Sequence, residues 1–79
     1  MRFFYYVIPA ATPEHWEIRS SLKSPGEIYA SRDLAILAAR QGCRRQAEEL
    51  GRRCGVRIES DDGAWLDEAL FDEQGKELS

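Results

Sequence analysis

Residues 31–54 of this chain read SRDLAILAARQGCRRQAEELGRRC, and this stretch decides the fold. Apolar residues recur in it three or four positions apart, at Ile36, Ala39, Cys43, Ala47, Leu50 and Cys54. Such spacing places one apolar stripe along a helix. The sequence therefore predicts a single long helix over residues 31–54, with the stripe facing the core.

Both ends of the predicted helix carry residues that are typical of helix termini. Ser31 supplies an N-cap hydroxyl, and Asp33 puts negative charge in the first turn. Arg52 and Arg53 put positive charge in the last turn, and Gly55 stands where a left-handed residue commonly ends a helix. The helix is therefore expected to occupy the whole stretch.

Segments with the alternation and composition of β-strands flank the helix. Strands are predicted at residues 3–8, 16–19, 28–30 and 56–59. Ser24-Pro25-Gly26 is predicted as a type II turn before the third strand, because proline and glycine suit its two central positions. The order is strand, strand, strand, long helix and strand.

The C-terminal segment, residues 64–74, has two interpretations. Trp65, Leu66, Ala69 and Leu70 fit one face of a short helix, which we favour, but a strand after Asp62-Gly63 remains open. The predicted fold class is α+β, with one domain over residues 1–79. A small antiparallel sheet, made of a three-strand meander and a fourth strand after the long helix, packs on that helix.

Composition places the chain among folded globular proteins. Charged residues make up 32% of its 79 residues and hydrophobic residues 43%, with a net charge of −3. No apolar run approaches the roughly 20 residues of a membrane span, and the N-terminus lacks the features of a signal peptide. We therefore expect a cytoplasmic protein that does not contact membranes.

The two cysteines are predicted to be buried thiols. Cys43 and Cys54 are 11 residues apart, which on one continuous helix separates them by roughly 16 Å. They cannot form a disulfide across that distance. This interpretation favours a reducing compartment.

Several short pieces of the chain resemble a family of small, uncharacterised bacterial proteins known only as a domain of unknown function. They are Tyr6-Val7-Ile8-Pro9, Trp16-Glu17-Ile18-Arg19, Ser31 before an alanine-rich helix, Gly55-Val56-Arg57-Ile58 and Asp62-Gly63. The resemblance spans residues 4–63. The chain differs in lacking a glycine directly before Trp16, in its longer helix and in its acidic C-terminal extension. The resemblance implies the same layout and supplies no activity.

No residue pattern in the chain predicts catalysis. The sequence contains neither a nucleophile motif nor a phosphate-binding glycine loop, and its single histidine, His15, suits a strand edge. Asp61 and Asp62, with Glu59, lack the spacing of a calcium loop and suit a turn. We predict a protein that is not an enzyme, with no catalytic or metal-binding residues, no cofactor and no small-molecule substrate.

Nucleic-acid binding is the alternative function. Five arginines crowd the outer side of the predicted helix: Arg40, Arg44, Arg45, Arg52 and Arg53. Aromatic side chains on an open sheet face could also stack on bases. Glu48 and Glu49 lie among the arginines and the net charge is negative, so a solvated face with intrahelical ion pairs is favoured.

Surplus apolar surface favours protein contact. Both faces of the first strand are apolar, and one helix covers only one of them. Leu34 and Leu37 fall outside the main helical stripe. The candidate interface therefore comprises Phe4, Tyr6, Leu34 and Leu37, covered by the C-terminal segment, by a second copy in a homodimer or by another protein.

Overall fold

A computed structural model describes residues 3–20 and 23–78 of the chain. Its elements are β1 (Phe3–Pro9), β2 (Trp16–Ser20), β3 (Lys23–Tyr29), α1 (Arg32–Leu50), β4 (Cys54–Glu59) and β5 (Trp65–Phe71). The strands form one sheet in the order β3-β2-β1-β4-β5, and α1 packs on one face of it. The α+β class is confirmed.

The predicted meander is present, but the sheet is mixed rather than antiparallel. β1 pairs antiparallel with β2, and β2 pairs antiparallel with β3. β4 instead runs parallel to β1, with Phe3 opposite Cys54 and Val7 opposite Ile58. The long helix is the physical reason, because it carries the chain back across the sheet so that β4 starts at the same end as β1.

The C-terminal segment forms a strand, so the favoured helix there is wrong. β5 pairs antiparallel with β4 through a turn at Ser60–Ala64, where the Ser60 amide donates to the Ala64 carbonyl at 2.8 Å. Gly63 adopts a φ of 84°, a conformation that glycine allows at little cost. The Asp-Gly turn signal therefore outweighed the helical spacing of the apolar residues.

The helix begins as predicted and ends earlier. The Ser31 hydroxyl accepts a hydrogen bond from the Leu34 amide at 3.2 Å. At the other end, Gly51 has a φ of 62° and its amide bonds back to Ala47. The expected end near Gly55 is therefore wrong, because an earlier glycine takes the left-handed position, and the arginines at 52 and 53 lie beyond the helix.

The early end of the helix also reverses the prediction for the cysteines. Cys54 lies at the start of β4 rather than on α1, and it forms a disulfide with Cys43, with 5.6 Å between the Cα atoms. The chain turns back at Gly51, which returns Cys54 to the side of the helix. The argument for a reducing compartment from unpaired thiols is therefore removed, and the cytoplasmic location stays a prediction.

Ser24-Pro25-Gly26 is not a turn but part of β3. The pairing of β2 with β3 shifts between Ile18, opposite Glu27, and Ser20, opposite Lys23. Residues 24–26 occupy this irregular stretch. β3 is an edge strand, where a proline without a backbone N–H is tolerated. The segment therefore interrupts the hydrogen-bond ladder without ending the strand.

The core lies between α1 and one face of the sheet. The helix contributes only small residues to it, Ala35, Ala39, Cys43 and Ala47, which let the helix approach the sheet closely. The sheet contributes larger side chains, which are Tyr5, Val7, Ile18, Val56, Ile58 and Phe71. Ile36 and Trp16 are half-buried at the border of this core. Leu50, predicted on the stripe, is 45% exposed.

In the part of the chain that the structure describes, α1 is the one helix, and it is not both long and apolar enough to cross a membrane.

Candidate functional site

The face of the sheet that points away from α1 carries most of the candidate residues. Successive side chains of a strand point to opposite faces. Tyr5 and Val7 belong to the core, so Phe4, Tyr6 and Ile8 point away from the helix. We call this surface the open face. The strand registers assign to it Phe4, Tyr6, Ile8, Glu17, Arg19, Ile28, Arg57, Glu59, Trp65, Asp67 and Leu70.

Three aromatic side chains form a row on the open face. The ring centroids of Phe4 and Tyr6 are 6.1 Å apart. Trp65, from β5, meets Tyr6 edge-on with 5.1 Å between the ring centroids. Such tilted and edge-on pairs are favoured arrangements of aromatic rings. Trp65 remains 48% exposed, so the aromatic row is not closed off from solvent.

An arginine connects this aromatic row with a carboxylate. The guanidinium carbon of Arg57 lies 4.0 Å from the centroid of the Phe4 ring, within the range of a cation–π contact. Its Nε donates to Oδ1 of Asp67 at 3.0 Å. Arg57 therefore contacts both the Phe4 ring and an exposed carboxylate. Its own side chain remains 35% exposed to solvent.

A shallow groove of about 360 Å³ lies beside Arg57 on the open face. Phe4 and Leu70 line it with the C-terminal residues Glu77 and Leu78. The Leu78 amide donates to the Leu70 carbonyl at 2.7 Å, which holds the residues that follow β5 along that strand. The groove is an extension of the open face with an apolar lining and an acidic side.

The structure places the four predicted interface residues on two different surfaces. Phe4 and Tyr6 lie on the open face. Leu34 and Leu37 lie on the solvent side of α1, on the opposite side of the sheet, and are 53% and 54% exposed. The two pairs therefore cannot belong to one contiguous contact.

Most of the arginines predicted for nucleic-acid contact already have partners. Arg40 donates to Glu77 at 2.5 Å, Arg44 lies 3.8 Å from Glu48, and Arg53 lies 3.5 Å from Glu73. The guanidinium of Arg52 lies 5.6 Å from the centroid of Phe3. Only the Arg44–Glu48 pair is the expected contact within the helix. The other acidic partners, Glu73 and Glu77, lie after β5.

The acidic turn and the histidine have local structural roles. Asp62 accepts hydrogen bonds from the Ser60 hydroxyl and from the Ala64 amide, which lower the pKa of its carboxyl group. Nδ1 of His15 donates to the Pro13 carbonyl at 3.0 Å. Within residues 3–20 and 23–78, no three histidine, cysteine or acidic side chains group closely enough to hold a metal ion.

Sequence reasoning missed Arg57, Ile28 and Trp65 as members of the open face. Assigning the C-terminal segment to a helix removed Trp65 from the sheet. Ile28, which is 58% exposed, was predicted only as part of the third strand and was not assigned to a face. The period-two alternation of Val56, Arg57 and Ile58 is the one signal that could have placed Arg57 on this face.

Comparison with known proteins gave no match to a family model, to a curated protein or to a solved structure. The class of protein is therefore given by the fold alone. It is a small α+β protein with a mixed sheet, one face of which α1 does not cover. The resemblance to the bacterial family of unknown function stays a prediction.

Proposed function

We propose that this chain is a non-enzymatic protein-interaction module and that the open face is its contact surface. One observation carries the proposal: the aromatic row of Phe4, Tyr6 and Trp65 remains partly exposed on a sheet face that α1 does not cover. Covering apolar surface is favourable by about 25 cal/mol per Å². Contiguous exposed apolar patches therefore tend to be contact sites.

The C-terminal segment, which the sequence left open as the cover, covers the aromatic residues of β1 only in part. β5 extends the edge of the sheet and pairs with β4, rather than lying across β1. Of its side chains, Trp65 packs on Tyr6 and Leu70 lines the groove beside Phe4, but Trp65 is itself half-exposed. This arrangement supports a cover supplied by a second molecule.

Charge on the open face supports a protein partner over a nucleic acid. Among the residues that the strand registers assign to this face, the acids Glu17, Glu59 and Asp67 outnumber the arginines at positions 19 and 57, so its net charge is negative. These carboxylates repel a phosphate backbone, whereas nucleic-acid affinity depends on neutralising phosphates with cations. The paired arginines on the other side of the molecule weaken the alternative further, so protein contact ranks first.

Site-specific photo-crosslinking tests the proposal. A photoreactive phenylalanine analogue is introduced at Ile8 on the open face and, in a matched chain, at Leu37. Leu37 is an apolar, exposed control on the opposite side of the molecule. In cells that express the chain, we expect the Ile8 probe to form crosslinks to protein and the Leu37 probe to form far fewer.

Three results would overturn the proposal, and the first is the absence of any protein crosslink from Ile8. Equal yields at Ile8 and Leu37 would mean that exposure alone explains the crosslinks. Crosslinks from Ile8 to nucleic acid rather than to protein would move the function to the alternative. Mass spectrometry of the crosslinked products identifies the partner in each case.

A further inference from the structure

Two arginines define a basic level on the open face. Arg19 lies opposite Tyr6 in the β1–β2 ladder, and Arg57 lies opposite Tyr6 in the β1–β4 ladder. The central strand therefore has a cation on each side at the level of Tyr6. We call this row of side chains the basic level.

Two glutamates define an acidic level two residues further along β1. Glu17 lies opposite Ile8 in the β1–β2 ladder. Glu59 follows Ile58, which lies opposite Val7, so it reaches the same level on the β4 side. The acidic level and the basic level are about 6–7 Å apart, the length of two strand residues.

This pattern is complementary to itself under one kind of two-fold rotation. An axis that lies in the contact plane, perpendicular to β1 and level with Val7, reverses the direction of the second copy. It keeps β2 opposite β2 and β4 opposite β4, while it sets each basic level against an acidic level. An axis parallel to β1 would instead set like charges against each other, which is costly at an interface.

We propose that the partner on the open face is a second copy of this chain, related by the axis perpendicular to β1. This inference rests on the proposed function of that face. Arg57 of each copy faces Glu59 of the other, and Arg19 faces Glu17. The arrangement gives four ion pairs around a central contact between the two β1 strands, with the sheets packed face to face.

Both arginines already have a partner on their own face: Nε of Arg19 donates to Glu17 at 2.7 Å, and Nε of Arg57 donates to Asp67 at 3.0 Å. One side chain of each pair is well exposed, Arg19 at 65% and Asp67 at 80%, whereas Glu17 is 15% and Arg57 35% exposed. Exposed pairs of this kind contribute little within one chain. The same charges steer and orient association when two faces meet, so the reversed register is selected over others.

Charge reversal followed by mixing tests this arrangement. Sedimentation velocity over a wide concentration range measures self-association of the wild type, of Arg57→Glu and of Glu59→Arg. Each variant alone sets like charges against each other in both symmetric contacts, so we expect its association to weaken about tenfold or more. An equimolar mixture of the two variants restores opposite charges in both contacts, so we expect association close to that of the wild type.

The mixture separates contacts between chains from effects within one chain. A defect inside a variant cannot be repaired by adding another chain, so recovery on mixing reports the intermolecular contact. Arg44→Glu, on the outer side of α1, is the matched control and should associate like the wild type. If Arg57→Glu fails to fold by circular dichroism, Arg19→Glu mixed with Glu17→Arg gives the same test on β2.

The outcomes separate this inference from the proposed function. Loss in each variant with recovery in the mixture supports the dimer. Association that is unchanged in the single variants, or lost in the mixture, overturns it. A wild type that stays monomeric at all concentrations also overturns it, and crosslinks from Ile8 to a different protein would then leave the proposed function standing. Absence of any protein crosslink would overturn both.

Discussion

The ring of Phe4 lies so close over Gly55 that a Cβ atom on residue 55 would come within 2.8 Å of the Phe4 Cε1 atom. Gly55 belongs to β4 and lies directly opposite Phe4 in the parallel ladder. The absence of a side chain at residue 55 therefore sets the position of the ring, and with it the position of Arg57 above the ring.

Gly55→Ala is expected to destabilise the protein by about 1–3 kcal/mol, the usual cost of inserting a methyl group into a packed site. Denaturant melts measure the loss. In a Phe4→Ala background the clash is gone, so the same substitution should cost much less. Equal costs in the two backgrounds would mean that the ring does not pack on residue 55.

The Cys43–Cys54 disulfide is expected to contribute about 2–3 kcal/mol, as the closure of a short loop does. Denaturant melts with and without dithiothreitol measure this, and a Cys43→Ala, Cys54→Ala variant should not respond to the reductant. The unreduced, denatured wild type should show no reactive thiol. Two free thiols in that assay would contradict the pairing.

Stability is expected to depend on pH in the alkaline range through Tyr29. Its hydroxyl donates to Glu27 at 2.5 Å, and this hydrogen bond raises the pKa of Tyr29 to about 12 from its ordinary value of 10.0. Because the folded state holds this proton more tightly than the unfolded state, the contribution to stability is complete below pH 10. It is lost as the pH rises from about 10 to about 12.

Ultraviolet titration of tyrosinate, combined with melts across that range, checks this effect. Tyr5 also titrates late, because burial raises its pKa, so Tyr29→Phe is needed to identify the signal. In Glu27→Ala, one tyrosine should ionise nearer pH 10. An unchanged titration curve in Glu27→Ala would show that the carboxylate does not hold the proton.

We expect no nucleic-acid binding tighter than about 10 μM near physiological salt, the weak end of ordinary non-specific affinity. The reason is that acidic side chains already neutralise Arg40, Arg44 and Arg53. Titration of single- and double-stranded probes measures the affinity. Tight binding that collapses between about 50 and 200 mM salt, and that disappears in an Arg44→Ala, Arg45→Ala, Arg52→Ala variant, would place function on the helix.

Local signals in the sequence predicted much of the fold. Ser31 has the chemistry of an N-cap, and the alternation of Val56, Arg57 and Ile58 is that of a strand, so the start of α1 and the course of β4 were readable. The end of α1 was not, because Gly51 and Gly55 carry the same signal and only the packed structure selects the first. Because the helix was predicted to run on to residue 54, the disulfide between Cys43 and Cys54 was not predicted.

Long-range pairing was the part that the sequence could not supply. Nothing in β1 or β4 specifies a parallel ladder, since direction depends on the path of α1 between them. For the same reason the sequence grouped Leu34 and Leu37 with Phe4 and Tyr6, although the sheet separates them. The aromatic part of the open face was predicted from composition alone, because the first strand has two apolar faces and one helix covers only one.

Hydroxyl-radical footprinting inside cells tests most directly whether the open face is covered. Oxidation of Phe4, Tyr6 and Trp65 is compared between dilute purified protein and cells that express the chain, with Leu34 and Leu37 as internal references on the opposite surface. The account predicts that the three aromatic residues are readily oxidised in dilute protein and several-fold protected in cells, while the two leucines do not change. Equal oxidation of the aromatic residues in both settings would contradict it.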